Sequence, residues 1–443
     1  MPSFGRMIRF LRSLRRLRSS KPPPVAPPAS SESAEHSSGG ISEPAADLGS
    51  VLANYLGGFR DLPLEIVDEI LEHLADDRSA LGACSLTCKA LCRSSRPIIH
   101  RRIFVVGLGG SRTTGEQDKQ AANIARFRTL LAATECGLAH YARDLTIRMG
   151  TTFVPENLQP FLLQFQTFAR LNSLTLHNFN PTPFLPAFEQ YFGHLAQQIR
   201  SFSFIYPSGT RSDMISFISR FPNLDDLKFC SFPRLHSEEF NAHSVQTSPT
   251  LRGTLQVESI RAGGDDFLGC LTRLPSGLRF RSIEFHRCTG IDPNIVIREC
   301  SSTIQHLTHV THIAHTLPSL DLSACSHLQV FEVRIDFTVF NFHEFTMWLV
   351  LTIGTIASPE FHSFILVVQD AHCPKLFGER HPQSALSLVD LTLWNLSQLT
   401  GMKMIVRERI LRSSFRNEVE QAFPLMTSVG GLEFQLGPPP CFF

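Results

Sequence analysis

The chain has 443 residues, 43% hydrophobic and 18% charged, enough for two or three domains or for one small module plus an elongated array. A formal net charge of +1 excludes a global electrostatic pull toward nucleic acid. Phe occurs 36 times against four Tyr and two Trp; a ring with no polar handle suits core layers better than a surface that stacks bases or sugars. Eleven cysteines, an odd number with no regular framework and no secretory signal, point to free thiols in a reducing compartment.

In chain order, residues 1–20 form a basic amphipathic segment. Phe4, Met7, Ile8, Leu11 and Leu14 line one stripe, six arginines from Arg6 to Arg18 fill the rest, and no acidic residue precedes Glu32. An organellar presequence or membrane-surface helix has this composition, and so does a basic tail or nuclear-import-like patch, which is the preferred reading. Residues 21–58 are rich in Pro, Ala and Ser and read as a linker that cannot bury enough apolar surface to order itself.

Residues 59–105 read as three short helices. Leu62 and Pro63 open the first, in which Ile66, Ile70, Leu71 and Leu74 recur at helical spacing between Glu65, Asp68, Glu69 and Glu72. Asp76 and Asp77 end it, and Ser79 is placed to cap the next. Leu81, Cys84, Leu86, Cys88 and Leu91 follow as a second apolar set, with Lys89, Arg93 and Arg96 on the other side. Cys84, Cys88 and Cys92, at i, i+4 and i+8, share one helical face and read as buried thiols.

This pattern of Leu62, Pro63, Glu65, Ile66, Ile70, Leu71 and Leu74, then Cys84-Ser85-Leu86, Cys88-Lys89 and Arg96, resembles the F-box. The match covers about a tenth of the chain. It departs from the family where Leu91 takes a position usually held by Trp, and where the ending runs Ile98, Ile99, His100 with Phe104 later. The resemblance implies that Leu62, Pro63, Ile66, Ile70, Leu71, Leu74, Leu86 and Leu91 dock on the small adaptor subunit of a cullin-based ubiquitin ligase, with Lys89 at the rim.

Residues 106–142 are expected to be a helical connector, with a flexible break at Gly107–Gly115 and a helical pattern over 117–138. From 143 to 437, short apolar strands recur at 144–147, 171–176, 199–204, 224–229, 280–285 and 328–333, with helices expected at 158–171, 183–198, 213–221 and 265–274 between them. The form L-x-x-L-x-L at Leu171, Leu174 and Leu176, followed by Asn178, resembles a leucine-rich repeat, and so does Leu224, Leu227 and Phe229 with Cys230. Cys288 continues the partial Asn/Cys series. The expected fold is therefore α/β: a short all-α three-helix F-box module followed by an irregular leucine-rich-repeat-like solenoid of parallel strands, as in F-box proteins of the fungal type. Residues 438–443 form a tail.

Catalytic signatures along the chain are incomplete. Gly110–Gly115 has phosphate-loop glycine spacing, but Glu116 and Gln117 stand where Lys and Ser/Thr are needed. Gly107-Leu108-Gly109 lacks the third glycine of a dinucleotide turn, and neither G-x-S-x-G nor H-E-x-x-H occurs. Asn395-Leu396-Ser397 is a glycosylation sequon only in a secreted chain. The longest apolar run, 347–357, is too short for a membrane span. His306, His309, His312 and His315 could not share one site at three-residue spacing and would alternate faces on a strand; they read as solvated loop histidines.

The expectation is a non-enzymatic substrate-recognition subunit of an SCF-type ligase in cytoplasm or nucleus, without cofactor or metal. Its partners would be the adaptor, through it a cullin, and a protein target on the repeats. Two alternatives stay open: an organelle-targeted or non-ligase interaction scaffold, signalled by a mitochondrial location, and a hydrolase or metalloenzyme, signalled by activity that depends on His309 or His312.

Overall fold

The computed structural model describes residues 63–108, 122, 125, 126, 129, 138–149, 167–230, 249–258, 264–286, 288, 292–313, 319–339, 342–369, 382–407 and 415–436. The chain divides between Arg101 and Arg102 into two compact units.

The first unit holds three helices, α1 (Leu64–Glu72), α2 (Arg78–Thr87) and α3 (Lys89–Ile99). Pro63 is the N-cap of α1, and its carbonyl accepts from the Ile66 and Val67 amides at 3.1 and 3.3 Å. Asp77, rather than Ser79, caps α2: its carboxylate accepts the Ala80 N–H at 3.0 Å. The expected continuous cysteine face is broken. Cys88 is extended (φ −155°, ψ 164°) and caps α3, so Cys84 and Cys92 lie on different helices. Val67, Leu71, Leu81 and Leu91 form a four-residue core, flanked by Leu74, Cys84, Ile98 and Ile99.

The second unit is α/β, built on a 12-stranded sheet in which the strands lie in chain order. They are β1 (Arg102–Leu108), β2 (Asp144–Met149), β3 (Ser173–His177), β4 (Ser201–Ile205), β5 (Asp226–Cys230), β6 (Thr254–Glu258), β7 (Ser282–His286), β8 (His306–Ile313), β9 (Val330–Val339), β10 (Ser363–Gln369), β11 (Gly401–Arg407) and β12 (Leu432–Leu436). Every pairing is parallel. The sheet thus starts well before residue 143, because β1 pairs with β2 from Arg102↔Asp144 onward. Gly107, expected in a flexible break, lies inside β1 where the register slips between Val106 and Leu108, a bulge that a residue without Cβ accommodates.

Parallel neighbours require a crossover, and helices supply it at Phe188–Ala196, Arg211–Ser219, Gly264–Leu271, Asn294–Cys300, Phe342–Gly354, Pro382–Trp394 and Phe415–Ala422. The helix expected over 183–198 begins as a 3-10 turn, Thr182–Ala187, because Pro183 and Pro186 cannot donate to an α ladder. The expected stretches 117–138 and 158–171 lie largely outside the described residues.

Each strand turns alternate side chains inward, and the register aligns them in two rows. One runs Leu145, Leu174, Phe202, Leu227, Leu255, Ile283, Leu307, Phe331, Phe364, Met402, and the other begins Ile147, Leu176, Phe204, Phe229, Val257, Phe285; all are buried. The leading apolar residue of most expected strands is a separate anchor two residues ahead of the ladder: Leu171, Ile199, Leu224, Phe280 and Leu328 are fully buried but precede their strands. Among the described residues the largest fully buried side chains are Phe, and Phe217 packs against Phe179, Phe188, Phe192, Phe202 and Phe221 at ring-centroid distances of 4.9–5.8 Å. The apolar run at 347–357 falls mainly in the Phe342–Gly354 helix, whose Phe345, Trp348, Leu349 and Ile353 are buried in the core. No helix among the described residues is long and apolar enough to cross a membrane.

Toward the C-terminal end one buried carboxylate organises a turn. Asp390, 1% exposed, accepts the Leu425 and Met426 amides at 2.7 and 3.1 Å and so satisfies the first turn of the short Pro424–Ser428 helix. Asp390→Ala would strip both amides of their acceptor. We expect a loss of about 2–4 kcal/mol in urea denaturation, against about 0.5 kcal/mol for an exposed substitution.

Candidate functional site

The residues expected to dock on an adaptor separate by burial. Leu71 (1% exposed) and Leu91 (8%) sit in the core of the first unit, where they hold its helices together and present no surface. Ile70 and Leu74 are half-buried, while Pro63, Ile66, Leu86 and Lys89 are exposed. Leu62 lies outside the described residues. Leu64, which the motif leaves unspecified, is 57% exposed and joins Ile66 (41%) and Leu86 (87%) as surface apolar side chains. Its apolar character was readable, but its direction depends on Val67 and Leu71 facing inward one turn apart. Among the described residues the core of this module is four side chains, and its surface leucines lie exposed outside it.

In the second unit, the outward positions of the strands make an open face. From β5 to β9 they carry Lys228, Glu258, Glu284, His286, Glu332 and Arg334, in register across neighbouring strands. These charges are paired locally: Arg334 Nε lies 2.6 Å from Glu332 Oε1, His286 Nε2 lies 3.1 Å from Glu284 Oε2, and Lys228 Nζ lies 4.0 Å from Glu258 Oε2. The hydrogen bond with His286 holds the Glu284 carboxyl below its usual range. Such a face, polar and mixed in sign, can read a partner by charge complementarity.

Burial pushes the Cys230 thiol up to about 12, and Cys300 and Cys325 to about 12 and about 11, so none is a thiolate at neutral pH. Among the described residues no cluster of His, Cys, Asp and Glu could hold a metal ion.

The first three histidines of the series lie on a strand, not in a solvated loop. His306 opens β8 and is exposed, whereas His309 turns inward, 3% exposed, between Phe285 of β7 and Val333 of β9. Its ring lies 5.1 Å from that of Trp348, and neither ring nitrogen has a hydrogen-bond partner among the described residues. Burial lowers its pKa from 6.5 to about 4, with the charge of His286 a smaller contribution. The His312 side chain and all of His315 lie outside the described residues.

No protein family matches this chain, and no curated protein matches it.

Because the folded chain resists protonating His309 and the unfolded chain does not, this residue's contribution to stability is complete above pH 6.5 and declines as pH falls toward 4. His309→Leu should remove that component of the pH dependence between those limits. It should also raise stability at pH 7 by about 1 kcal/mol, since an apolar group replaces one with unmet hydrogen bonds; urea titrations at pH 5 and pH 7 would measure both. In the first unit, Leu71→Ala should cost about 2–4 kcal/mol and Leu86→Ala less than about 0.5 kcal/mol, read by circular dichroism melts.

Proposed function

We propose that the chain is a substrate-recognition subunit of an SCF-type cullin–RING ubiquitin ligase, with the F-box-like helices docking on the adaptor. The observation that carries this reading is the exposed apolar set Pro63, Leu64, Ile66 and Leu86 on a helical module with a four-residue core, within the L-P-x-E-I pattern. Ile70 and Leu74 border that set, and Leu71 and Leu91 act by holding its shape.

We read the second unit as an irregular leucine-rich-repeat-like array that holds the protein target. Parallel strands in unbroken chain order support this, as do side chains that bridge successive units after the strands: Asn178 Nδ2 donates to the Met149 carbonyl at 3.0 Å, and Cys288 Sγ to that of Val257 at 3.4 Å. Asn178 takes φ 54°, a left-handed conformation that Asn tolerates. Catalysis in this reading is proximity: the receptor raises the target's concentration near a ubiquitin-charged enzyme, with no catalytic residue of its own. Work in cytoplasm or nucleus belongs to the same reading.

The test is a pull-down of the tagged full chain from cell extract, probed for adaptor and cullin beside Pro63→Ala/Ile66→Ala. Both side chains are exposed, so the variant should keep its fold, while loss of central anchors at a standard interface costs about 2 kcal/mol or more. We expect recovery with the wild type and none with the variant. Recovery unchanged by the double substitution, or no recovery with either chain, would overturn the proposal.

A further inference from the structure

The loops that lead into the middle strands of the sheet enclose a solvent-facing cavity of about 310 Å³, lined by Arg252, Arg279, Arg281, Ser302, Thr303, Gln305 and His327. Backbone pairing puts the three guanidinium groups there. Leu251 and Leu278 form an isolated parallel bridge, so the residues that follow them, Arg252 and Arg279, are neighbours. Leu278 and Phe280 are buried in the core, which turns the alternating residues Arg279 and Arg281 outward. The Arg281 N–H donates to the Gly253 carbonyl, and the Arg281 carbonyl accepts from Gln305 and His306 at 2.8 and 3.0 Å, which ties the next wall to the same ladder.

The chemistry of the cavity is one-sided. None of the three arginines has an ion pair or side-chain hydrogen bond within the described residues. Gln305 adds an amide and Ser302 a hydroxyl, while the Thr303 hydroxyl is spent on the Phe280 and Cys300 carbonyls, both at 3.1 Å. Two carboxylates stand beside these loops and both are engaged: Glu360 is taken by His327 at 2.7 Å and Gln329 at 3.1 Å, and Asp226 accepts the Thr254 N–H at 2.6 Å. Three like charges around one cavity repel each other, and an anion among them relieves that repulsion.

We propose that this cavity is a binding site for a phosphate monoester. Three guanidinium forks offer more N–H donors than the two oxygens of a carboxylate can accept, and their summed charge suits a dianion. A phosphate monoester supplies three terminal oxygens and close to two negative charges at neutral pH. The cavity has room for the group and part of what carries it, since small-ligand sites begin at about 300 Å³. A nucleic-acid backbone fits less well: the chain's net charge is only +1, and the neighbouring loops bring Asp225 and Asp226 on one side and Glu360 on the other, which interrupts any basic track. This site stands independently of what the helical module binds.

The experiment is calorimetric titration of the full chain with inorganic phosphate, O-phosphoserine within a short uncharged peptide, acetate, and a single-stranded oligonucleotide. It is repeated with Arg252→Gln/Arg281→Gln and with Lys403→Gln/Arg416→Gln, which removes the same charge elsewhere. We expect saturable single-site phosphate binding, weakened about tenfold or more by the first pair and changed less than about twofold by the second. The first pair replaces exposed side chains without partners, so an unchanged melting temperature should accompany the loss. Preference for the phosphopeptide over inorganic phosphate by about tenfold would assign a protein-borne group; equal affinity would assign the free ion. The proposal is overturned by an absence of saturable phosphate binding, by equal weakening in both double variants, by acetate binding as tightly as phosphate, or by an oligonucleotide that outcompetes both phosphates through the same arginines.

Discussion

The second unit depends on one constraint, the shared register of parallel strands that lie in chain order. Each strand delivers two or three inward side chains, and the pairing lines them up so that Leu174 meets Phe202 and Leu176 meets Phe204, and so on across the sheet. A slip of one residue in any strand would send its apolar pair to solvent and its polar partners into the core. The register is held from outside the strands as well. Anchors such as Leu171, Ile199 and Leu328 are buried two residues ahead of the ladder, and backbone bonds such as Arg200 N–H to the Asn172 carbonyl join successive lead-in loops. The inward rows are therefore committed to packing, and the outward positions and the loops remain free to vary.

That division explains where the polar chemistry is. Charged residues gather on the outward rows from β5 to β9 and in the loops before β6 to β9, where they cost the core nothing. The two places differ in kind. On the open face the signs alternate and neutralise one another locally, as with Arg334 and Glu332, whereas the loop cavity gathers cations without a matching carboxylate. His309 is the exception to the division, a titratable ring in an inward row beside Trp348. Among buried groups it contrasts with Asp390, whose carboxylate oxygens are both engaged.

The sequence showed those strands in which an apolar anchor precedes a clean alternation, as at Leu224-Asp225-Asp226-Leu227-Lys228-Phe229. It hid the others for identifiable reasons. β8 puts His309 and Thr311 at inward positions, so alternation of polarity fails although alternation of direction persists. β10 reads Phe-Ile-Leu-Val-Val, an apolar run without period, and β6 follows its anchor Leu251 by three residues where most others follow by two. β1 directly follows the helical stretch, so that in the sequence Ile103 and Phe104 look like the end of that module. For the candidate docking surface, apolar identity was legible and direction was not. Leu71 and Leu86 look alike in a motif, yet one is 1% exposed and the other 87%, because Leu71 shares the core with Val67, Leu81 and Leu91 whereas Leu86 falls in the last turn of its helix, outside that core.

The placement of aromatic residues has a practical consequence for spectroscopy. The two tryptophans, Trp348 and Trp394, both lie in the second unit, one 5% exposed and one 44% exposed, so indole emission samples a dry and a wetted environment there. Residues 63–101 contain no Trp, Tyr or Phe at all. Loosening of the three helices is thus silent in near-ultraviolet absorption and intrinsic fluorescence, and only backbone-sensitive methods, or a chromophore introduced at an exposed site such as Leu86, would follow it.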